Sequence, residues 1–166
     1  MTFRLESPDI APDSMIDKRF EYNGFGCNGE NKSPVLRFSG APAGTKSFAV
    51  TCYDPDAPTG SGWWHWMLVN IPADVAELKA DAGNASGANL PKGAQQIRND
   101  YGEKAWGGMA PPPGDPPHRY VFTVFALGTD RLELPPDASC ALAGFMVNAN
   151  CIAKASFTAK YGRPKM

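Results

Sequence analysis

Two histidines occur in this 166-residue chain, and each stands where a loop rich in proline and glycine runs into an apolar stretch. The first loop is Asp54-Pro55-Asp56-Ala57-Pro58-Thr59-Gly60-Ser61-Gly62, followed by Trp63-Trp64-His65-Trp66. The second is Gly107-Gly108-Met109-Ala110-Pro111-Pro112-Pro113-Gly114-Asp115-Pro116-Pro117, followed by His118-Arg119-Tyr120. An imidazole titrates near neutrality and can donate to an anion, and a nearby carboxylate orients the ring or favours its charged form. Eight of the eleven residues of the second loop are proline or glycine, which predicts a stiff segment able to bring backbone N–H groups close to a ligand. If the strands that follow the two loops lie close together, His65 and His118 converge at one end of a sheet, with Asp54 and Tyr120 nearby.

Each of these residues also has a plainer role. Asp-Pro-Asp is an ordinary turn, because Asp bonds its own backbone and Pro holds φ. Trp63, Trp64 and Trp66 serve by default as core and rim aromatics. It is the combination that points to a binding site. Ser61, His65 and Asp54 supply the residue types of a hydrolytic triad, so hydrolysis of small esters or phosphoesters is the alternative. Ser61, however, sits in a Gly-Ser-Gly loop with no strand-turn-helix elbow, and a nucleophile must reach its base. Two histidines, Asp54 and the scattered Cys27, Cys52, Cys140 and Cys151 have no ligand spacing that commits to zinc. No metal or cofactor is therefore expected, and the cysteines read as structural thiols.

The elements that must position these loops are mostly strands. Tyr120 to Leu127 is rich in aromatic and β-branched residues, apolar on both faces, and suits a central strand between two layers. Ser47 to Tyr53 and His65 to Ile71 are further strands, with weaker ones at Phe3 to Glu6, Val35 to Phe38 and Gln95 to Asn99. Helices are expected late. Asp137 or Ser139 would cap a segment carrying Leu142, Phe145 and Met146, and a second helix would run from Ala149 to Tyr161 before Gly162 and Pro164. Strands first and helices last predict a β-sandwich with peripheral C-terminal helices in one domain spanning residues 1–166. Charged residues number sixteen basic and seventeen acidic, so no basic excess is available for nucleic acid. The chain carries no apolar run of transmembrane length and no secretory leader pattern at Met1, which suggests a cytoplasmic protein.

The two loops resemble the signature segments of the phosphatidylethanolamine-binding protein family. The first has the form Asp-Pro-Asp-Ala-Pro, then an aromatic-His-aromatic element in a strand ending at Val69-Asn70. The second has the form Gly-x-x-Pro-Pro-x-Gly, then His-Arg-Tyr and a hydrophobic strand. Asn31-Lys32-Ser33-Pro34-Val35-Leu36 and Pro42 to Phe48 are similar to family elements as well, and Thr59 to Trp64 resembles the bacterial, Raf-kinase-inhibitor-like branch. The resemblance implies a large antiparallel Greek-key sheet packed on a smaller one. It also implies a non-enzymatic pocket at the sheet edge for a small anion or phospholipid head group: phosphate, phosphoethanolamine or a carboxylate. By position, Asp54, His65, His118 and Tyr120 would line it, while Trp63, Pro58, Gly108, Pro111 and Pro112 would supply wall and backbone. A protein partner such as a kinase is implied on the same ground alone. Ala110 stands where many relatives have glycine, and Trp106 replaces a common tyrosine. The end of the chain at Met166 lacks the longer helix of animal members, which implies a more open site or one closed by a second subunit in a homodimer.

Overall fold

A computed structural model describes residues 2–165 of the chain. In chain order the strands are Arg4–Glu6 (β1), Leu36–Ser39 (β2), Ser47–Asp54 (β3), Trp63–Pro72 (β4), Glu77–Leu78 (β5), Gln95–Gln96 (β6), His118–Leu127 (β7) and Cys151–Tyr161 (β8). One α-helix, Cys140–Asn150 (α1), precedes the last strand. The larger sheet has the order β6-β4-β3-β7-β8 and the smaller one β1-β2-β5. All neighbouring pairs in both are antiparallel. The connection from β4 to β7 crosses β3, so both strands that begin at the proline-rich loops flank the same central strand.

The facing sheets enclose the main core, built from Leu36 and Phe38 on one side and Phe48, Val50, Trp66, Phe122 and Val124 on the other. A second apolar layer lies under α1, where Ala143, Val147 and Cys140 meet Ala49, Met67, Val69 and Leu127. Each fully buried large aliphatic or aromatic side chain contributes about 1.5–3 kcal/mol relative to exposure. The strands buried on both faces are β3 and β4. In β7 the predicted two-sided burial is only half realised: Tyr120, Phe122, Val124 and Ala126 are buried, while Val121, Thr123 and Phe125 are half-buried. The predicted strand at Gln95 to Asn99 shortens to two residues.

One expectation is corrected outright. Of the predicted helix from Ala149 to Tyr161, only Ala149 and Asn150 are helical, as the last residues of α1, and from Cys151 the chain is strand β8. Ala153, Ala155, Phe157, Ala159 and Tyr161 face inward while Ile152, Lys154, Ser156 and Lys160 are exposed, a period of two. Pairing along β7 from His118↔Tyr161 to Leu127↔Cys151 outweighs the helix preference of alanine and lysine. Among the described residues the C-terminal region thus holds one helix, not several. Ser139 is its N-cap, its side chain accepting from the Leu142 N–H, and the buried stripe is Cys140, Ala143 and Val147 rather than Leu142 and Phe145. No helix among the described residues is long and apolar enough to cross a membrane.

Candidate functional site

Antiparallel pairing brings the end of β3 to the start of both its neighbours. Asp54 closes β3, His65 is the third residue of β4, and His118 opens β7. A β-bulge sharpens the arrangement. Cys52 pairs with Trp66 and Tyr53 with Trp64, so His65 is the extra residue between them. Such a bulge re-aims its side chain, and the His65 ring lies edge-on to Tyr120 with centroids 5.2 Å apart.

Asp54 is engaged by His118 and not by His65. His118 Nδ1 donates to Asp54 Oδ2 at 2.7 Å, and Nε2 donates to Asp115 Oδ2 at 3.0 Å. The ring and the Asp54 carboxylate are almost fully buried, whereas Asp115 is partly exposed. Both nitrogens face carboxylates, so both carry protons and the ring is an imidazolium. Burial opposes that charge, but the hydrogen bonds to Asp54 and Asp115 outweigh it and raise the pKa. The other Asp54 oxygen accepts the Asp56 N–H at 2.7 Å, an Asx turn that shapes the loop. Asp56 in turn holds Arg119 through Nε at 3.0 Å, Nη2 at 2.9 Å and the backbone N–H at 2.8 Å. The side-chain bond from Arg119 dominates in lowering the Asp56 pKa to about 2.

His65 behaves differently. Its Nδ1 lies 2.8 Å from the Gly107 carbonyl and 3.1 Å from that of Gly108. Carbonyls only accept, so Nδ1 carries the proton. Burial pushes the ring below its usual pKa, the Gly107 carbonyl and Asp54 offsetting this in part. The neutral ring therefore leaves Nε2 as an acceptor, and that atom is buried without a protein partner. Trp63 Nε1 and Tyr120 Oη are likewise buried and unpartnered, the three such atoms among the described residues. Burial and the Asp54 charge raise the Tyr120 pKa, so its hydroxyl stays protonated.

All three side chains line one cavity of about 190 Å³. Of the residues singled out from sequence, Asp54, Pro58, Trp63, His65, Pro111, Pro112, His118 and Tyr120 line it together. Gly108 does not. Its N–H donates to Asn31 Oδ1 at 2.7 Å, and its carbonyl accepts from the Tyr101 hydroxyl at 2.8 Å as well as facing His65. A Cβ at Gly108 would overlap the Phe20 carbonyl oxygen and the backbone of Glu21. The glycine thus admits a neighbouring backbone segment, and the loop's polar groups position His65. Among the described residues, no lysine or arginine lines the cavity.

Sequence reasoning passed over Phe25, Ala57, Thr59 and Tyr101, which also line it, and singled out Ala110 only as a departure. Tyr101 stacks on Tyr22 at 3.9 Å and meets Trp63 edge-on at 5.1 Å. Its signal was local: Asn99 accepts the Tyr101 N–H at 3.0 Å, an Asx turn readable in Asn99-Asp100-Tyr101-Gly102. Phe25 is 69% exposed, with φ at 55°, and only tertiary placement brings it to the cavity. Trp106 is a core residue, its Nε1 donating to the Phe20 carbonyl at 3.3 Å. Ser61 is exposed and absent from the lining, and its N–H and carbonyl are used by Thr59 and Tyr53. No group of three or more His, Cys, Asp or Glu side chains able to hold a metal occurs among the described residues.

The sequence profile described as phosphatidylethanolamine-binding protein matches residues 6–162. The Escherichia coli protein YbcL is 53% identical over 159 residues, covering 96% of this chain and 87% of that one. YbhB, also from E. coli, is 48% identical over 158 residues, 95% of this chain and 99% of the other. The crystal structure of YbcL superposes with a TM-score of 0.94 at 52% identity, covering 96% of this chain and 98% of that chain. A Chlamydia trachomatis homologue superposes with a TM-score of 0.80 at 27% identity over 97% of each. From strand order to the histidine-bearing loops, this chain belongs to the phosphatidylethanolamine-binding protein family, in its bacterial, Raf-kinase-inhibitor-like branch.

Proposed function

We propose that this protein is a non-enzymatic binder of a small anionic group, of the phosphate, phosphoethanolamine or carboxylate kind, held in the cavity between His65 and His118. The observation that carries this is the convergence of three buried, unpartnered polar atoms on side chains of one cavity: Trp63 Nε1, Tyr120 Oη and His65 Nε2. A buried polar atom without a partner costs about 1–3 kcal/mol, and a ligand that supplies partners recovers it. The indole N–H and the phenol can donate to anionic oxygens. The aromatic walls suit the ammonium of a phosphoethanolamine head group. Hydrolysis through Ser61 has no comparable support, since that residue lies outside the lining and Asp54 serves His118.

Titration calorimetry with inorganic phosphate, phosphoethanolamine and acetate tests this reading. Saturable binding is expected for at least one of them, weakened about tenfold or more by Tyr120→Phe, since a lost hydrogen bond to a charged group is worth about 1.5–3 kcal/mol. Silence with all three overturns it. Undiminished affinity in Tyr120→Phe moves the ligand out of this cavity and overturns it equally.

A further inference from the structure

The cavity presents an acceptor where an anion site would be expected to present a donor. His65 Nδ1–H is spent on the Gly107 and Gly108 carbonyls, at 2.8 and 3.1 Å, and the Gly107 N–H returns to the His65 carbonyl at 2.9 Å. The ring is thereby held in one tautomer by the loop that precedes His118. Flipping it would set a bare nitrogen against two carbonyl oxygens. The charges nearby do not favour a dianion. His118 lies between Asp54 and Asp115, which leaves that trio at −1, and two arginines of this edge stay outside the lining: Arg119 is held by Asp56, and Arg163 donates to the Pro111 carbonyl at 2.6 Å. The other groups facing His65 are Asp100, whose carboxylate accepts the Trp64 N–H at 2.7 Å, and the neutral Tyr101 and Tyr120 rings.

We infer that the cavity takes a phosphomonoester in its singly charged form, the P–OH donating to His65 Nε2 and the other oxygens accepting from Trp63 and Tyr120. This rests on the anion-binding reading above and narrows it. A phosphomonoester has a second pKa of about 6, so roughly a tenth of it carries that proton at pH 7. A simple carboxylate, with a pKa near 4, has only about one part in a thousand protonated there. A phosphodiester has no such proton at all. The site therefore distinguishes ligands by a hydrogen and not by charge alone.

The probes are methyl phosphate and dimethyl phosphate, neither of which has an ammonium group to donate in place of P–OH. Calorimetry in buffers of different ionisation enthalpy measures protons taken up on binding. Methyl phosphate is expected to take up about one proton at pH 8, and its apparent affinity to fall about tenfold from pH 7 to pH 8. Dimethyl phosphate is expected to bind at least tenfold more weakly than methyl phosphate when both affinities are expressed per singly charged species. With 15N-labelled histidine, His65 Nε2 should stay unprotonated in the methyl phosphate complex, with His118 read separately. Binding at pH 8 without proton uptake, equal affinity for dimethyl phosphate on that basis, or a doubly protonated His65 in the complex would each overturn the inference while leaving anion binding intact. If methyl phosphate fails to bind while phosphoethanolamine or acetate does, the inference alone falls. If every probe is silent, the binding function falls with it.

Discussion

Replacing His118 with glutamine should destabilise the protein most below neutral pH and progressively less above it. His118 bonds Asp54 at 2.7 Å and Asp115 at 3.0 Å, and both the imidazole and the Asp54 carboxylate are almost fully buried. Breaking a buried ion pair by removing one partner typically costs about 3–5 kcal/mol. Glutamine keeps one neutral donor for Asp54, and Asp115 is partly in water, so about 3 kcal/mol is the expected loss. A chain of this length unfolds with an entropy of roughly 0.35 kcal/mol/K, so the melting temperature should fall by about 9 °C. The pH dependence follows from the raised pKa of His118. The folded state binds that proton more tightly than the unfolded one, whose pKa is near 6.5. The stabilisation is therefore complete below about pH 6.5 and is lost as pH rises through the folded-state pKa. Thermal unfolding of both proteins from pH 5.5 to pH 9.5, with an NMR titration of the ring, measures this. A gap between the proteins that stays constant with pH, or a ring that titrates at or below 6.5, would refute the imidazolium assignment.

Gly108→Ala should cost about 2–3 kcal/mol by overpacking, because its Cβ meets the backbone of Phe20 and Glu21. Gly60→Ala, with nothing within 4 Å of its Cβ, should be neutral to about 0.5 kcal/mol, and denaturant unfolding of the two variants beside the parent protein measures both. Arg119→Ala should lower the melting temperature only slightly at pH 7, since the Arg119–Asp56 pair is largely exposed. That small difference should vanish as pH falls from 4 towards 2, because the depressed pKa of Asp56 contributes stability only while the carboxylate is ionised. A gap that widens in acid would contradict it.

What the sequence by itself determined is the family, most of the sheet and the loops that carry the site. Asp54-Pro55-Asp56 and the Pro/Gly run before His118 are local signals, readable because proline, glycine and aspartate impose turn geometry on their own neighbours. Apolar runs located β3, β4 and β7 for the same kind of reason. The helix expected from Ala149 to Tyr161 failed because intrinsic propensity, even of good helix formers such as alanine and lysine, is a small bias that partnership with β7 along the whole strand outweighs. Tertiary structure alone decided which histidine Asp54 engages. The bulge at His65, the crossing of β3 between β4 and β7, and the two carbonyls against Nδ1 all depend on residues distant in the chain. It also decided that Gly108 yields to Phe20 and Glu21 and that Phe25 reaches the cavity. Residue types announced a site for an anion. Only the packing of one loop against one strand assigned His65 the role of acceptor, because a neutral imidazole offers whichever nitrogen its neighbours leave without a proton.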